Sequence, residues 1–187
     1  MKRIAVFASG EGTNAQQLIN HFKSGDLARV ALIVTNNPKA HVIERAKASH
    51  IPHLLIDRKT FSETKFLLDE LKKYNIDLIV LAGFLWLIPA YLNKSFHNKI
   101  VNIHPALLPK FGGKGMYGAH VHKAVIASQE KESGITIHYV NENYDEGEII
   151  LQVKCDVALT DTPETLAAKI HKLEHEYYAT AIEKLLK

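Results

Sequence analysis

Short apolar runs alternate with amphipathic stretches along the chain, the pattern typical of β-strands joined by helices. The apolar runs predict strands over residues 3–9, 29–37, 52–56, 77–83, 99–104, 134–142 and 147–157. The amphipathic stretches predict helices over residues 14–25, 41–50, 60–74 and 163–186. Most of the strands are uniformly apolar, as in parallel sheets covered on both faces by crossover helices. We therefore expect a doubly wound, mostly parallel α/β sheet with an antiparallel pair formed by the last two strands.

Composition narrows the class of protein. The chain has 187 residues, of which 47% are hydrophobic and 23% are charged, as in an ordinary globular protein. No apolar stretch approaches the roughly 20 residues of a membrane span. The 23 basic and 20 acidic residues are scattered rather than gathered into a nucleic-acid-binding stripe. The length predicts a single domain over residues 1–187, and the single cysteine, Cys155, indicates a cytoplasmic protein. We expect a monomer or homodimer that binds neither membrane nor nucleic acid.

A glycine-containing loop follows the first predicted strand. Gly10, Gly12 and Ala15 satisfy a G-x-G-x-x-A dinucleotide pattern, but the second strand ends at 35–37 without the carboxylate that would bind a ribose. The backbone of Gly12, Thr13 and Asn14 still offers amide donors and a helix N-terminus. The loop therefore predicts a phosphomonoester site, with a plain helix cap as the alternative.

An amide and an imidazole end the fifth strand, in the segment NIHP. Strand alternation places Asn102 and His104 on one face, and Pro105 keeps His104 extended at the carboxyl end of the strand. Ligands bind at that edge of open α/β sheets. An amide donor beside an imidazole suits a reaction that develops negative charge on a carbonyl oxygen. The pair indicates acyl transfer, the alternative being that both side chains only satisfy loop backbone groups.

A carboxylate near His104 would favour its protonated form and orient its ring. The segment NENYDEGE supplies four candidates that follow or precede the last strands. They are Glu142, Asp145, Glu146 and Glu148. The residues alone do not choose among these four, and a solvated turn is the alternative for all of them.

The segments ASGEGTN, LAGF, NIHPALLPKF, ITIHYVNENYDEGEIILQ and LEHEYY together resemble the folate-dependent formyltransferases, in order and over nearly the whole chain. GEGTN and the chain length favour the members that formylate glycinamide ribonucleotide. The resemblance implies a Rossmann-like formyltransferase fold, with 10-formyltetrahydrofolate as formyl donor, glycinamide ribonucleotide as acceptor and no metal. A formyltetrahydrofolate hydrolase and a noncatalytic nucleotide-binding module are the alternatives.

The resemblance also implies roles for individual residues. Asn102 would hydrogen-bond the formyl oxygen, His104 would act as an imidazolium that stabilises the oxyanion and gives a proton to the leaving nitrogen, and Asp145 would keep it protonated. The substrate phosphate and ribose would be bound by Gly12, Thr13, Asn14 and Glu174. The folate would be bound by Leu85, Trp86, Leu87, Ile88, Asn102, Asn141 and Tyr144.

Other features carry weaker predictions. Family members often have arginine at the position of Trp86, and some have an arginine near Thr64 or Lys65 that meets the folate tail. The glycine-rich segment 112–118, with Lys110 and Lys114 nearby, indicates a flap over the crevice. His120 and His122 with His104 are a metal-site alternative, and His138 faces away from Ile135 and Ile137.

Overall fold

The structure is a computed structural model that describes residues 1–62 and 64–187. Its strands are β1 (Lys2–Phe7), β2 (Ala28–Thr35), β3 (His53–Leu55), β4 (Leu78–Leu81), β5 (Ile100–His104), β6 (Glu132–Tyr139) and β7 (Ile149–Asp156). Its helices are α1 (Thr13–His21), α2 (Val42–Ala48), α3 (Arg58–Ser62), α4 (Thr64–Lys73), α5 (Ala90–Ser95), α6 (Ala119–Ala127) and α7 (Pro163–Leu186). Within the described part of the chain, no helix is long and apolar enough to cross a membrane.

The seven strands form one sheet in the order β3-β2-β1-β4-β5-β6-β7. The first five strands are parallel, whereas β6 runs antiparallel to both β5 and β7. Chain order reverses between β1 and β4, because the chain moves outward from β1 to β3 before returning to β4. The predicted doubly wound fold with an antiparallel pair at its C-terminal side is therefore confirmed. Side chains at this reversal point face the crevice in which such folds bind ligands.

Strand alternation sends apolar side chains into two cores, one on each face of the sheet. One core contains Ile4, Val6 and Val101 and packs against α1, α2, α6 and α7. The other contains Phe7 and Ile79 and packs against α3, α4 and α5. Both faces of the central strands are thus covered, which explains why these strands are apolar throughout.

The C-terminal helix follows its predicted boundaries closely. Thr162 caps it, since the Thr162 side chain accepts a hydrogen bond from the Thr165 N–H in a capping box, and Pro163 occupies the first turn. Its buried face includes Leu166, Ile170 and Tyr178, whereas Leu173 and Tyr177 are only partly buried. The four-residue spacing 166, 170, 174, 178 also buries Glu174, which a purely apolar pattern does not indicate.

The predicted helix over residues 60–74 differs from the structure at its start. α3 begins at Arg58, two residues earlier, and Asp57 rather than Thr60 precedes its first turn. The Asp57 carboxylate accepts a hydrogen bond from the Thr60 N–H at 2.7 Å, and Thr60 Oγ1 accepts one from the Asp57 N–H at 2.9 Å. Residue 63 lies outside the described residues. The short helices α5 and α6 complete the set, on opposite faces of the sheet.

Candidate active site

A cavity of about 830 Å³ opens at the carboxyl ends of β1, β4 and β5. Its walls come from the loops after these three strands, from the turn between β6 and β7, and from the first half of α7. The glycine-rich segment 112–118 lies along one side, and Lys114, Met116 and Tyr117 line the cavity there. The position agrees with the rule for open α/β sheets. Most predicted site residues lie around this single cavity.

One end of the cavity is formed by the loop 9–14 and the start of α1. Gly12 precedes the helix with a left-handed φ of 70°, and no side chain caps the first turn. A Cβ on Gly12 would lie 2.6 Å from Val42 Cγ2, so glycine is required both by the φ angle and by the close approach of α2. The first N–H groups of α1 have no carbonyl one turn earlier to bind. This end of the cavity is suited to an anion.

Glu174 reaches the same end from α7. The residue is 6% exposed, and Glu174 Oε2 accepts hydrogen bonds from Asn14 Nδ2 at 2.9 Å and from His171 Nδ1 at 3.1 Å. These two contacts join α1 to α7 beside the glycine loop. Glu174 also lines the cavity. The structure thus brings the predicted phosphate and ribose residues Gly12, Thr13, Asn14 and Glu174 together.

Asn102 and His104 point from β5 to the same side of the sheet, as the alternation predicts. In the antiparallel ladder to β6, Asn102 pairs with His138 and His104 pairs with Thr136. The apolar residue between them, Ile103, packs into the opposite core. Both polar residues line the cavity, where His104 is 3% exposed.

Asp145 is the carboxylate that lies among these groups. It occupies the turn after β6 with a left-handed φ of 58°. Its Oδ2 lies 3.5 Å from His104 Nδ1 and accepts a hydrogen bond from the Gly113 N–H at 2.9 Å. Its Oδ1 lies 3.5 Å from Asn102 Nδ2 and 3.7 Å from His138 Nε2. Of the four acidic residues that follow β6 and flank the turn, Asp145 is the one placed beside His104.

Burial and neighbouring polar groups shift the pKa values of His104 and Asp145 in opposite directions. Burial lowers the pKa of His104 below its ordinary value of 6.5, and Asp145 and the Phe111 carbonyl oppose that change only in part. Burial by itself would raise the pKa of Asp145. The contacts of Asp145 with His138, His104 and the Gly113 N–H together outweigh this effect, and the pKa of Asp145 is lowered. Burial thus opposes a proton on His104 and Asp145 favours one, and the imidazolium role that the resemblance implies stays a prediction.

Both nitrogens of His104 face acceptors. His104 Nε2 lies 2.8 Å from the Phe111 carbonyl oxygen, which can only accept, so the hydrogen of the neutral ring is assigned to Nε2. Nδ1, beside Asp145, then carries the lone pair. A proton that arrives at Nδ1 meets the carboxylate directly, so the pair can take up and release one proton at that atom.

The predicted folate residues divide into those that line the cavity and one that does not. Leu85, Trp86, Leu87, Ile88, Asn102 and Tyr144 line it. Asn141 is absent from its walls. Its Oδ1 accepts from the Asn143 N–H at 2.9 Å and its carbonyl accepts from Asn93 Nδ2, so its visible role is to shape the turn.

Two residues at or near the cavity, Arg58 and His171, were not predicted from the sequence, and His122 was considered only as a possible metal ligand. The Arg58 guanidinium stacks over the Trp86 ring, with 4.1 Å between Cζ and the ring centroid. His171 lines the cavity, and its pKa is raised by the hydrogen bond to Glu174. His122 also lines it, with Nδ1 buried and unpaired and with its pKa lowered by burial. Only the packing of α3 and α7 against the sheet reveals Arg58 and His171.

The three-histidine metal alternative does not assemble. His120 is exposed and packs against the Tyr117 ring, whereas His122 is buried against the cavity wall. Among the residues that the structure describes, no group of three or more His, Cys, Asp or Glu side chains is placed to hold a metal ion.

A doubly wound sheet with an uncapped helix N-terminus and an Asn-His-Asp group at the carboxyl ends of its strands is typical of α/β proteins that bind small molecules. The chain belongs to the formyl transferase family, whose model matches residues 2–182. It is 40% identical over 191 residues to "Phosphoribosylglycinamide formyltransferase" of Bacillus subtilis, covering 100% of this chain and 95% of that protein.

Two further similarities support the family. The chain is 42% identical to the chloroplastic phosphoribosylglycinamide formyltransferase of Arabidopsis thaliana, covering 97% of this chain but 64% of the plant protein. The crystal structure of phosphoribosylglycinamide formyltransferase from Bacillus halodurans superimposes with a TM-score of 0.90 at 41% identity, covering 100% of this chain and 96% of that one. The chain thus spans less than two thirds of the plant relative and nearly all of the bacterial ones.

Proposed function

We propose that the protein transfers the formyl group of 10-formyltetrahydrofolate to the amine of N1-(5-phospho-D-ribosyl)glycinamide. The products are N2-formyl-N1-(5-phospho-D-ribosyl)glycinamide and tetrahydrofolate, a step of purine biosynthesis. The observation that carries this proposal is the meeting of Asn102, His104 and Asp145 in one cavity that is also lined by the glycine loop and by the apolar residues 85–88. Similarity to relatives that carry this name supports it.

The two ends of the cavity suit the two substrates. A phosphomonoester fits the uncapped N-terminus of α1 at Gly12, Thr13 and Asn14, where backbone N–H groups and the helix dipole favour an anion. Glu174 lies beside it, with Oε2 held by Asn14 and His171, and its carboxylate is suited to accept from ribose hydroxyls. The glycinamide amine then extends toward His104.

The apolar part of the cavity wall suits a flat pterin ring. Leu85 and Leu87 are 46% and 39% exposed on the cavity wall, beside the buried Ile88. Exposed apolar side chains of this kind are stabilised when a ligand covers them. Arg58, stacked on Trp86 at this end, supplies a cation for the carboxylates of the folate tail. We therefore assign to Arg58 the role that the resemblance gives to an arginine near residue 64.

The central residues manage the proton of the reaction. The amine nitrogen attacks the formyl carbon and forms a tetrahedral intermediate, and the attacking nitrogen must lose a proton. His104, neutral at rest, accepts that proton at Nδ1, where Asp145 Oδ2 at 3.5 Å stabilises the resulting imidazolium. The same proton then passes to the folate nitrogen as the bond from that nitrogen to the formyl carbon breaks. Because the cavity would hold the amine, the formyl group and His104 side by side, the reaction would not depend on their random encounter in solution.

The test is a mixture of the purified protein, 10-formyltetrahydrofolate and glycinamide ribonucleotide. We expect tetrahydrofolate to form only when the amine acceptor is present. Asn102→Ala should lower turnover by about 10²-fold or more, the scale of one polar group that acts in the transition state. Formate release without the acceptor would instead indicate a formyltetrahydrofolate hydrolase. Ligand binding without turnover would indicate a noncatalytic nucleotide-binding module.

The remaining expectations stay proposals of the same account. Residues 1–187 would act as one formyltransferase domain that uses two small-molecule substrates and no metal. A cytoplasmic location is proposed from the single unpaired cysteine, Cys155.

A further inference from the structure

A buried imidazole with an unpaired nitrogen lies on the wall of the cavity. His122 is 4% exposed and lines the cavity. Among the residues that the structure describes, no group hydrogen-bonds its Nδ1, which is enclosed by protein. Buried polar atoms are nearly always paired, so an unpaired one beside a cavity is a candidate for contact with a ligand. The steps of formyl transfer described above do not use this side chain.

Helix α6 holds His122 at the cavity. Val121 and Val125 of this helix are fully buried in the core, which fixes the rotation of the helix about its axis. Ala119 and His122 both line the cavity, because residues three positions apart share one face of a helix. The packing of the helix therefore places the ring on the wall without help from a hydrogen bond to Nδ1.

His122 lies near the two residues that would bracket the acceptor. Burial lowers the pKa of His122, and the charges of His171, Glu174 and His104 also act on it, so these three side chains are close to the ring. In the proposed function, the ribose lies beside Glu174 and the amine extends toward His104. The part of the acceptor that joins ribose to amine is its amide. A side chain near both Glu174 and His104 therefore meets this amide.

An amide is a complementary partner for a neutral imidazole. The imidazole carries one N–H donor and one acceptor nitrogen, and the amide offers one N–H donor and one carbonyl acceptor. Whichever ring nitrogen carries the hydrogen, the amide thus has an atom that pairs with it. A half-turn of the ring exchanges nitrogens and carbons within the same outline, so Nδ1 can be presented to the cavity. Low local polarity strengthens a hydrogen bond made there.

We propose that His122 hydrogen-bonds the amide of the acceptor and so selects acceptors that carry an amide between ribose and amine. This inference rests on the proposed function. The amide is present before and during formyl transfer and is not the reacting group, so its contact with His122 stabilises the bound acceptor and the transition state about equally. His122 therefore contributes to affinity for the acceptor and not to the chemical step.

Two ligands and two substitutions test this contact. Ribose 5-phosphate has the phosphate and the ribose of glycinamide ribonucleotide but no amide. His122→Leu removes both ring nitrogens, and the leucine side chain is small enough to leave the ligand room. His97→Leu is the matched control, because it makes the same change at an exposed histidine in the turn before β5.

Isothermal titration calorimetry should show that the wild type binds glycinamide ribonucleotide at least about tenfold more tightly than ribose 5-phosphate. His122→Leu should bind glycinamide ribonucleotide about tenfold more weakly and ribose 5-phosphate within about threefold of the wild type. In steady-state assays its KM for the acceptor should rise about tenfold, with kcat and the KM for the folate within about threefold. His97→Leu should match the wild type.

Three results of these titrations would overturn the inference. They are absent or equal affinity of the wild type for the two ligands, unchanged binding of glycinamide ribonucleotide by His122→Leu, and equal losses for both ligands in that variant. Equal losses would mean that the ring supports the fold or the phosphate end instead of the amide.

A second readout uses the wild-type protein. In ¹⁵N NMR, the ring nitrogens of His122, assigned by their loss in His122→Leu, should shift when glycinamide ribonucleotide is added and stay in place with ribose 5-phosphate. A shift with both ligands, or with neither, would overturn the inference. The proposed function fails by a different result, since His122-dependent binding without transfer of the formyl group would reject that function and leave the amide contact standing.

Discussion

Replacing Asp145 by asparagine removes one negative charge and keeps the size of the side chain. The Asp145 side chain is 11% exposed and contacts His104, Asn102 and the Gly113 N–H. An asparagine oxygen can still accept from the Gly113 N–H, so the fold of the turn should survive. What is lost is the charge that stabilises a proton on His104 Nδ1.

The distance from His104 Nδ1 to Asp145 Oδ2 sets the size of the effect. Two unit charges 3.5 Å apart interact by about 5 kcal/mol at an effective dielectric constant of about 20. If about half of the charge on the imidazole has developed at the transition state, the barrier rises by about 2.5 kcal/mol. That increase corresponds to a loss of about 10²-fold in kcat.

The assay is steady-state formyl transfer as a function of pH. His104 must be neutral to accept a proton, so kcat should rise as the pH increases through the pKa of His104, and burial places that limb below 6.5. The charge of Asp145 raises this pKa, so Asp145→Asn should move the limb to lower pH. The amine of the substrate titrates identically with both enzymes and cancels in the comparison.

The matched control is Glu146→Gln, which removes an adjacent carboxylate whose contact is with Asn143 Nδ2 on the exposed side of the turn. This variant should keep the wild-type kcat, and its kcat should rise over the same pH range as that of the wild type. The reasoning would be refuted if Asp145→Asn stayed within threefold of wild-type kcat, or if its limb did not move relative to that of Glu146→Gln.

Three further predictions follow from the geometry. Glu174→Gln should raise KM for glycinamide ribonucleotide about tenfold and leave KM for the folate unchanged, because Glu174 lies at the anion-binding end. Arg58→Gln should raise KM for the folate by about three- to tenfold, since it removes the cation over the apolar end. Gly147→Ala should lower the free energy of unfolding by about 3 kcal/mol in chemical denaturation, because its Cβ would lie 1.7 Å from the Tyr139 carbonyl oxygen. Gly25→Ala, whose Cβ meets nothing within 4 Å, should change it by less than about 0.5 kcal/mol.

Controls and contrary results are specific to each change. Glu176→Gln removes an exposed carboxylate two residues along α7 and should leave both KM values unchanged. A shift in the folate KM with Glu174→Gln would place this residue at the wrong end of the cavity. Arg29→Gln, on the exposed side of β2, should have no effect, and an equal effect of Arg29 and Arg58 would show that only overall charge matters. Equal stability losses at Gly147 and Gly25 would contradict the predicted clash.

The sheet could be predicted because its central strands are covered on both faces and therefore read as unbroken apolar runs. The placement of Asn102 and His104 was predictable for a related reason, since two residues separated by one position must share a face of a strand. The glycine loop was predictable because the backbone there requires glycine, which is visible in the sequence. The φ angle of Gly12 and the close approach of Val42 both exclude a side chain at this position.

The remaining features depend on long-range packing. Four carboxylates near β6 and β7 were equivalent in the sequence, and the turn geometry that selects Asp145 follows from the register of the two strands. Arg58 reaches Trp86 only because α3 packs, through Phe61, against Phe84 and Trp86 in the loop after β4. The lowered pKa of His104 depends on burial by the loop that carries Phe111, which strand alternation cannot show.

The most direct measurement of the central claim uses a donor whose formyl carbon is labelled with ¹³C. NMR follows that carbon with the purified protein, in the presence and absence of glycinamide ribonucleotide. The account predicts that the label moves to the glycinamide nitrogen, matched one for one by tetrahydrofolate, and that it stays on the donor when the acceptor is absent. Label that appears as formate, or that never leaves the donor in the presence of the acceptor, would contradict the account.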